Sequence, residues 1–291
     1  MFFNLIVNNR GLKMFKLITT GFLFISVFML AACGSSGGGG ASVRPAAEVK
    51  GKAVDAEIVG GDITVYSFKD GEKGEVLGSG MTDEDGFYQI GISAPDQAIL
   101  VEVKNGSYTE ESSGVTVSLK GGQILRALTF YKSGVPVDTM VTPFTNLAAG
   151  LAEYQIKSGV PIQTAMIQGT TAISTMVGVN ILNTVPHNVT DVANVSTVLT
   201  SELKYGFMAA AISSWTAKAS ELNGTEPHSI WNSIGFAQVM YRDIAEDGFL
   251  DGRGIDPETK EAIDLGFGLV NIDTHTYRNE LAQHLMGVVS S

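Results

Sequence analysis

Between positions 47 and 131, apolar and polar residues alternate in short runs, which is the pattern of strands buried on one face. Pairs that favour tight turns, such as Gly60-Gly61, Asp70-Gly71 and Asp85-Gly86, separate these runs. Seven short antiparallel strands at this spacing predict a β-sandwich of the immunoglobulin-like kind. The predicted strands cover residues 49–54, 63–68, 76–82, 87–92, 99–104, 115–119 and 124–131.

Beyond Met140 the apolar positions recur with the period of amphipathic helices. Thr142 and Pro143 form a helix start, with a capping hydroxyl followed by proline at the first helical position. The change of period predicts an α+β architecture with two domains, a β-sandwich domain at 47–138 and an all-α helical domain at 139–291. Five or six helices are predicted: 143–158, 161–177, 193–222, one from Pro227, a short one capped by Asp256, and a last one from Asp273 or Thr274.

Two details of the helical region predict how it packs. Leu199 and Leu203 lie on the apolar stripe of the long helix, so both are expected to be buried. Gly169, Gly206 and Gly235 lie inside predicted helices, where glycine costs about 1 kcal/mol relative to alanine. Such a cost is usually tolerated where helices cross closely, and we therefore expect tight packing at all three positions.

The N-terminal segment has a third pattern. Lys13 and Lys16 precede an apolar run at 17–30, and small residues precede Cys33, the only cysteine of the chain. This is the layout of a bacterial export signal, too short and wrongly flanked for a stable membrane span. Leu30-Ala31-Ala32-Cys33 resembles the lipobox of bacterial lipoproteins. The resemblance implies a signal peptide at 1–32, cleavage before Cys33, and fatty acylation of that residue on its thiol and its new amino group.

The segment after Cys33 predicts how the folded part is held. Residues 33–46 comprise the lipidated cysteine and a Gly/Ser-rich tether, which reaches on the order of 20 Å. An alternative is a buried cysteine after an ordinary signal peptide, but the glycines from Gly34 to Gly40 offer no core around it. Gly34 is not the aspartate associated with inner-membrane retention, so the resemblance favours the outer membrane, with the leaflet left open. Either Met1 or Met14 can be the true start.

Composition narrows the class of partner. Three of the 19 basic residues and none of the 30 acidic residues lie in the signal segment, so the mature chain carries a net charge of −14. Such a surface repels phosphate backbones, and we expect no nucleic-acid binding. With its cysteine acylated, the mature chain has no disulfide, and its partners are expected to be the membrane, through the lipid, and a protein or glycan.

Three stretches of the β-region carry a family resemblance. The stretches at 49–55, 62–66 and 82–90 resemble the carboxypeptidase regulatory-like family, whose members are prealbumin-like β-sandwiches. The resemblance covers about 85 residues and implies a rigid spacer or binding module attached to another domain. No carboxypeptidase catalytic domain is recognisable elsewhere in the sequence.

The acidic stretch at 246–256 is the strongest candidate for a cofactor site. Asp247, Asp251 and Asp256 alternate with glycines that can turn backbone carbonyls inward, and together these oxygens could hold a hard cation such as Ca²⁺. Helix capping by Gly248 and Asp256 is the interpretation we favour, and we predict no cofactor; the calcium site is the alternative. The spacing matches no established calcium loop. The similar run Asp83-Glu84-Asp85-Gly86 lacks the late glutamate of a calcium loop and predicts a hairpin turn.

Catalytic motifs give no support for an enzyme. The one Gly-x-Ser-x-Gly match surrounds Ser36 in the predicted tether, without the strand and helix of a nucleophile elbow. The four histidines show no metal-site spacing, and Trp215 and Trp231 are expected in the core.

We therefore predict a non-enzymatic, lipid-anchored envelope protein whose β-module presents a helical interaction domain. The alternatives are an envelope hydrolase with a site in the helical domain, or a carrier of an apolar ligand.

Overall fold

A computed structural model describes residues 46–189, 198–222 and 231–250, together with the backbone of 253–255 and 262–264. Within these residues the fold is mixed α+β: nine strands come first, four helices follow, and a short two-stranded ladder comes after the helices. The predicted signal peptide, Cys33 and most of the tether lie outside the described residues. Among the helices that are described, none is long and apolar enough to cross a membrane.

The β-region contains nine strands, where seven were predicted. Each predicted run coincides with a strand, and the two additional strands have three and two residues, too few to show an alternating pattern. The strands are β1 (Ala47–Lys52), β2 (Asp62–Lys69), β3 (Glu72–Met81), β4 (Phe87–Ile92), β5 (Gln97–Lys104), β6 (Ser107–Thr109), β7 (Thr116–Ser118), β8 (Ile124–Tyr131) and β9 (Val137–Asp138).

These strands form three sheets. The largest is antiparallel with the order β3-β2-β5-β8, and its register places Val65 opposite Val101 and Val101 opposite Ala127. A second sheet has the order β4-β1-β9, in which β1 pairs antiparallel with β4 and parallel with β9. The third is the β6-β7 hairpin, with Tyr108 opposite Val117.

The strand β5, at the centre of the four-stranded sheet, is buried on both faces. Val101 and Val103 of β5 point into the larger of two apolar clusters, which also contains residues of β1 and β4. Leu100, on the opposite face, joins a smaller cluster with Ala149 and Met166 of the helices that follow. Burial on both faces explains why β5 reads as a nearly continuous apolar run rather than an alternating one.

Four helices follow the strands: α1 (Pro143–Lys157), α2 (Ile162–Val177), α3 (Ser201–Leu222) and α4 (Ser233–Asp247). The start predicted for α1 is confirmed, because Thr142 Oγ1 accepts from Thr145 N at 3.2 Å and Thr145 Oγ1 accepts from Thr142 N at 2.8 Å. The change from strand to helix falls between β9 and α1. The larger apolar cluster contains residues of both the strands and the helices that the structure describes.

Two predicted helix starts were wrong. The helix α3 begins at Ser201, where Thr200 Oγ1 accepts from Leu203 N at 3.2 Å, and Leu199 before it is 65% exposed rather than buried. The helix α4 begins at Ser233, because its N-cap Asn232 is extended, with φ −136° and ψ 168°. Leu203 is buried, as expected.

The chain after α4 is described only in part. Backbone pairing joins β10 (Arg253–Ile255) and β11 (Ala262–Asp264) in an antiparallel ladder. The prediction that the region 139–291 is all-α is therefore wrong. The short helix predicted at Asp256 and the last helix predicted from residue 273 or 274 lie outside the described residues, so both stay predictions.

The packing expected at two helical glycines is confirmed. A Cβ added at Gly169 would lie 2.6 Å from the carbonyl oxygen of Ala148, and one at Gly206 would lie 2.0 Å from that of His187. Both contacts are with backbone, which cannot move aside cheaply. The core position predicted for the tryptophans is also confirmed, since Trp215 is 0% and Trp231 4% exposed.

Candidate metal centre

Three carboxylates from two separate loops converge in the interior. Asp55, Glu110 and Glu111 each place one carboxylate oxygen within 4.8 Å of the other two. Asp55 is 2% exposed and Glu110 is 3% exposed, whereas Glu111 is partly exposed. Acidic side chains are seldom buried without partners, so this cluster is the most unusual polar feature of the described residues.

The local backbone explains why Asp55 is inside. It lies in a tight turn after β1, closed by a hydrogen bond of 3.1 Å from Ile58 N to Ala53 O. Val54 and Ala56 on either side of Asp55 are buried apolar residues, as are Ala53 and Ile58. The turn therefore packs as part of the apolar core and takes the aspartate with it.

The two glutamates lie in the loop that joins β6 to β7. Glu110 closes this loop, since its N–H donates to Val115 O at 2.9 Å and its carbonyl accepts from Gly114 N at 2.8 Å. Ser112 N also donates to Ser213 Oγ of α3 at 3.0 Å, which holds the loop against the helices. The loop is thus fixed at both ends, and it presents two adjacent carboxylates inward.

The N-terminus of α4 completes the surroundings of the cluster. Ser233 N donates to Glu110 Oε2 at 3.1 Å, and Ser233 Oγ donates to Asp55 Oδ2. Tyr108 OH donates to the same Glu110 oxygen at 2.7 Å and lies 3.0 Å from Ser233 Oγ. A carboxylate at a helix N-terminus is stabilised by the unpaired N–H groups and the helix dipole.

One oxygen of each carboxylate has no partner. Asp55 Oδ1, Glu110 Oε1 and Glu111 Oε2 are buried and accept no hydrogen bond. None of the ion pairs among the described residues involves these three acids. A buried anion without a compensating charge is costly, and three close together repel each other as well.

The electrostatics of the cluster follow from this arrangement. Burial raises the pKa of Asp55 well above its ordinary value, and the charges of Glu111 and Glu110 raise it further. Burial likewise raises the pKa of Glu111, with Glu110 and Glu57 adding to the effect. The cluster as it stands therefore attracts positive charge, in the form of either protons or a cation.

The residues predicted as calcium ligands lie elsewhere. Asp247 is the last residue of α4, at the opposite end of the helix from Ser233, and it is exposed. Its Oδ1 accepts from Phe249 N at 2.9 Å, and Gly248 caps the helix with φ 85°. Asp251 and Asp256 lie outside the described residues, so a cation site formed by Asp247, Asp251 and Asp256 stays a prediction.

The prediction of a turn at Asp83 is confirmed. Asp83 Oδ1 accepts from Asp85 N at 3.0 Å and from Phe87 N at 2.8 Å, and Gly86 has φ +71°. This carboxylate is engaged in capping its own turn.

Sequence reasoning missed the buried cluster, although one signal pointed to it. In Ala53-Val54-Asp55-Ala56 a single acid interrupts a stretch of small apolar residues, which is unusual for a solvated turn. Glu110 and Glu111 carry no such signal, because adjacent acids in a polar loop are ordinary on a surface. The sequence could therefore mark Asp55 but could not supply its neighbours.

A second feature of the surface is an apolar groove of about 300 Å³ between β8 and α2. Ile167 on its helical wall is 60% exposed, and Phe130 on its strand wall is 42% exposed. The strand β8 is the edge of the four-stranded sheet, so one side of its backbone is not covered by another strand of that sheet. The walls comprise Leu128, Thr129, Phe130, Gln163, Met166, Ile167, Thr170, Thr171 and Leu182.

Comparisons with known proteins do not assign the chain to a family. No protein-family model matches it, and no curated protein matches it. A solved structure, that of a 9R-lipoxygenase from Cyanothece PCC8801, is similar with 14% identity and a TM-score of 0.20 over 74% of this chain. The chain spans about 30% of the length of that enzyme, and so low a TM-score carries no argument about fold or activity.

Proposed function

We propose that this chain is a lipid-anchored protein of the bacterial cell envelope and acts by binding rather than by catalysis. The lipobox-like Leu30-Ala31-Ala32-Cys33 and the Gly/Ser-rich segment after it support the anchor. Cys33 would carry the acyl chains, and more than one chain on a residue gives stable membrane attachment. The outer membrane is the proposed location.

The β-region is proposed to be a prealbumin-like sandwich that serves as the rigid part of the molecule. The family resemblance at 49–55, 62–66 and 82–90 supports this proposal. So does the larger apolar cluster, to which strands β2 and β5 of one sheet and β1 and β4 of another both contribute.

The proposed binding role rests on the groove between β8 and α2. An edge strand beside an apolar groove suits an extended protein segment, whose backbone can pair with the strand while its side chains enter the groove. Five of the nine wall residues are apolar and four are polar, namely three threonines and Gln163. The exposed apolar side chains of Phe130 and Ile167 suit the apolar side chains of a protein segment better than the hydroxyl groups of a glycan. We therefore propose a protein partner.

Site-specific photo-crosslinking in the envelope tests this role. A photoreactive residue at Ile167 should give a discrete crosslinked protein, and the same residue at Val76 should not. Val76 is a matched control because it is 59% exposed, against 60% for Ile167, and lies on β3 at the other edge of the sheet. Identical crosslinks at both positions would contradict the proposal.

The groove also keeps one alternative open, a carrier of an apolar ligand. In that case no protein would crosslink at Ile167, and Ile167→Glu would abolish binding of an apolar fluorescent probe. The hydrolase alternative gains less support, because Asp55 and Glu110 of the carboxylate cluster are buried.

A further inference from the structure

We propose that Asp55, Glu110 and Glu111 form a binding site for one Ca²⁺ ion. This inference goes beyond the proposed binding role and does not depend on it. It rests on convergence of the three carboxylates and, independently, on the fact that Asp55 Oδ1 and Glu110 Oε1 are buried without any hydrogen-bond partner.

The spacing of the oxygens fits one ion. Calcium takes oxygen ligands at about 2.3–2.6 Å, so two ligands of the same ion lie at most about 5.2 Å apart. The three carboxylate oxygens are all within 4.8 Å of one another and meet this condition without rearrangement. Magnesium requires near-ideal octahedral geometry at about 2.0–2.1 Å and usually keeps several waters with one or two carboxylates, so a buried set of three carboxylates suits it less well.

The chemistry of the donors points to the same ion. All three ligands are carboxylate oxygens, the type that hard cations prefer, and neither histidine nor cysteine takes part. A divalent cation would neutralise most of the buried negative charge, and Ser233 N–H together with Tyr108 OH already stabilises Glu110 at Oε2. Glu57 adds further negative potential nearby.

The position of the site implies that a bound ion would stabilise the contact between the β-region and α4. One ligand lies in the turn after β1 and two lie in the loop between β6 and β7. Ser233 at the start of α4 contacts Asp55 and Glu110 directly. Bound calcium would therefore hold two β-loops against the first turn of α4. Glu111 is partly exposed and marks the side from which an ion could enter.

Thermal unfolding of the full chain in detergent tests the proposal, with CaCl₂ or EDTA at constant ionic strength. A ligand specific for the folded state at 100 times its Kd raises the folded-to-unfolded ratio about 100-fold, a shift in midpoint of roughly 5–10 °C. We expect this shift for the wild type and a smaller one for MgCl₂ at the same concentration. No shift up to about 10 mM CaCl₂, above the affinity range of extracellular calcium modules, would overturn the proposal.

Isosteric variants locate the ion. Asp55→Asn and Glu111→Gln should lose the calcium shift, and in EDTA they should unfold at or above the wild-type midpoint because a like charge is removed. Glu84→Gln, which changes an exposed acid, should keep the shift. If Asp55→Asn does not fold, the calcium shift of Glu111→Gln, a change at a partly exposed position, tests the proposal by itself.

The variants also separate this site from other acids. A shift that survives in Asp55→Asn and Glu111→Gln would overturn the proposal, whether or not Asp251→Ala abolishes it. Acylation at Cys33 and crosslinking at Ile167 do not require calcium, so failure of this site leaves the proposed function standing, and the reverse also holds.

Discussion

Ser233 Oγ donates a hydrogen bond to Asp55 Oδ2 across 178 residues of sequence. The contact joins the turn after β1 to the first residue of α4, and both residues are buried. The backbone N–H of Ser233 at the same time donates to Glu110, so one residue contacts two of the three clustered acids. The start of α4 and the acidic cluster therefore form one polar unit inside the apolar core.

Removing the Ser233 hydroxyl tests this unit. Ser233→Ala leaves a second oxygen of Asp55 without a donor, and an unsatisfied buried acceptor costs about 1–3 kcal/mol. We expect a loss of that size in the free energy of unfolding, measured with urea. Ser112→Ala, at an exposed side chain on the neighbouring loop, should change stability little. Equal stabilities for the two variants would show that the contact contributes nothing.

The cluster predicts an unusual pH dependence in EDTA. Burial and the neighbouring acids raise the pKa of Asp55 and of Glu111 in the folded state, so that state binds more protons than the unfolded chain. Their contribution is full below the unfolded pKa values, and it is lost as pH rises through the raised pKa values of the folded state. Glu110, Glu57 and the phenol of Tyr108 face the same site.

The difference between wild type and Asp55→Asn isolates this effect from that of other carboxylates. In EDTA the wild type should lose stability relative to the variant as the pH rises above about 4, the pKa of an aspartate in the unfolded chain, measured by urea unfolding. Saturating calcium should remove or reverse the trend, since the ion binds the deprotonated acids. A difference that is constant over this range would contradict the assigned pKa shift of Asp55.

Glu102 pairs with one buried and one half-exposed cation, so it tests how burial affects the strength of an ion pair. Arg126 Nε lies 3.2 Å from Glu102 Oε1, and Lys73 Nζ lies 3.0 Å from Glu102 Oε2. The arginine side chain is 13% exposed and the lysine 45%. Arg126 also donates to Gln238 Oε1 of α4 at 2.7 Å and lies over the ring of Tyr241, so it joins the sheet to the helices.

Arg126→Met should destabilise the fold by about 3–5 kcal/mol, because it leaves a buried charge and a buried amide poorly compensated. Lys73→Met should cost less than about 1 kcal/mol, as exposed ion pairs do. Chemical unfolding of both variants measures the difference. A similar cost for the two would mean that burial does not control the strength of these pairs.

Gly206 tests the close approach of α3 to the segment around His187. Gly206→Ala would place a Cβ 2.0 Å from the His187 carbonyl oxygen, and the forced backbone shift should cost about 1–3 kcal/mol. Gly91 is the matched control, since a Cβ there meets nothing within 4 Å. Gly91→Ala should therefore be neutral, and differential scanning calorimetry can compare the two. An unchanged midpoint for Gly206→Ala would contradict the packing.

The sequence predicted regular elements well where period and caps agreed. Thr142-Pro143 marked the start of α1, and the alternating runs marked seven strands. It failed where a short element left no period, as in β6 and β9, and where an apolar residue before a helix resembled part of its stripe, as Leu199 did. Such residues are placed by tertiary packing, which local pattern does not record.

The candidate site was harder to predict for a different reason. Its carboxylates come from positions 55, 110 and 111, and the serine that contacts two of them is at 233. No spacing rule links these positions, because the sheet order and the docking of α4 bring them together. The acidic stretch at 246–256 attracted the calcium prediction because its acids are close in sequence, and local density is the signal that sequence motifs provide.

The most direct test of the calcium site is the number of ions bound at equilibrium. Dialysis of the full chain against ⁴⁵Ca²⁺ at constant ionic strength, with excess magnesium to occupy weak surface sites, measures this number. We predict that the wild type and Glu84→Gln bind one more calcium ion per chain than Asp55→Asn/Glu111→Gln. Equal numbers of bound ions in the wild type and the double variant would contradict the site.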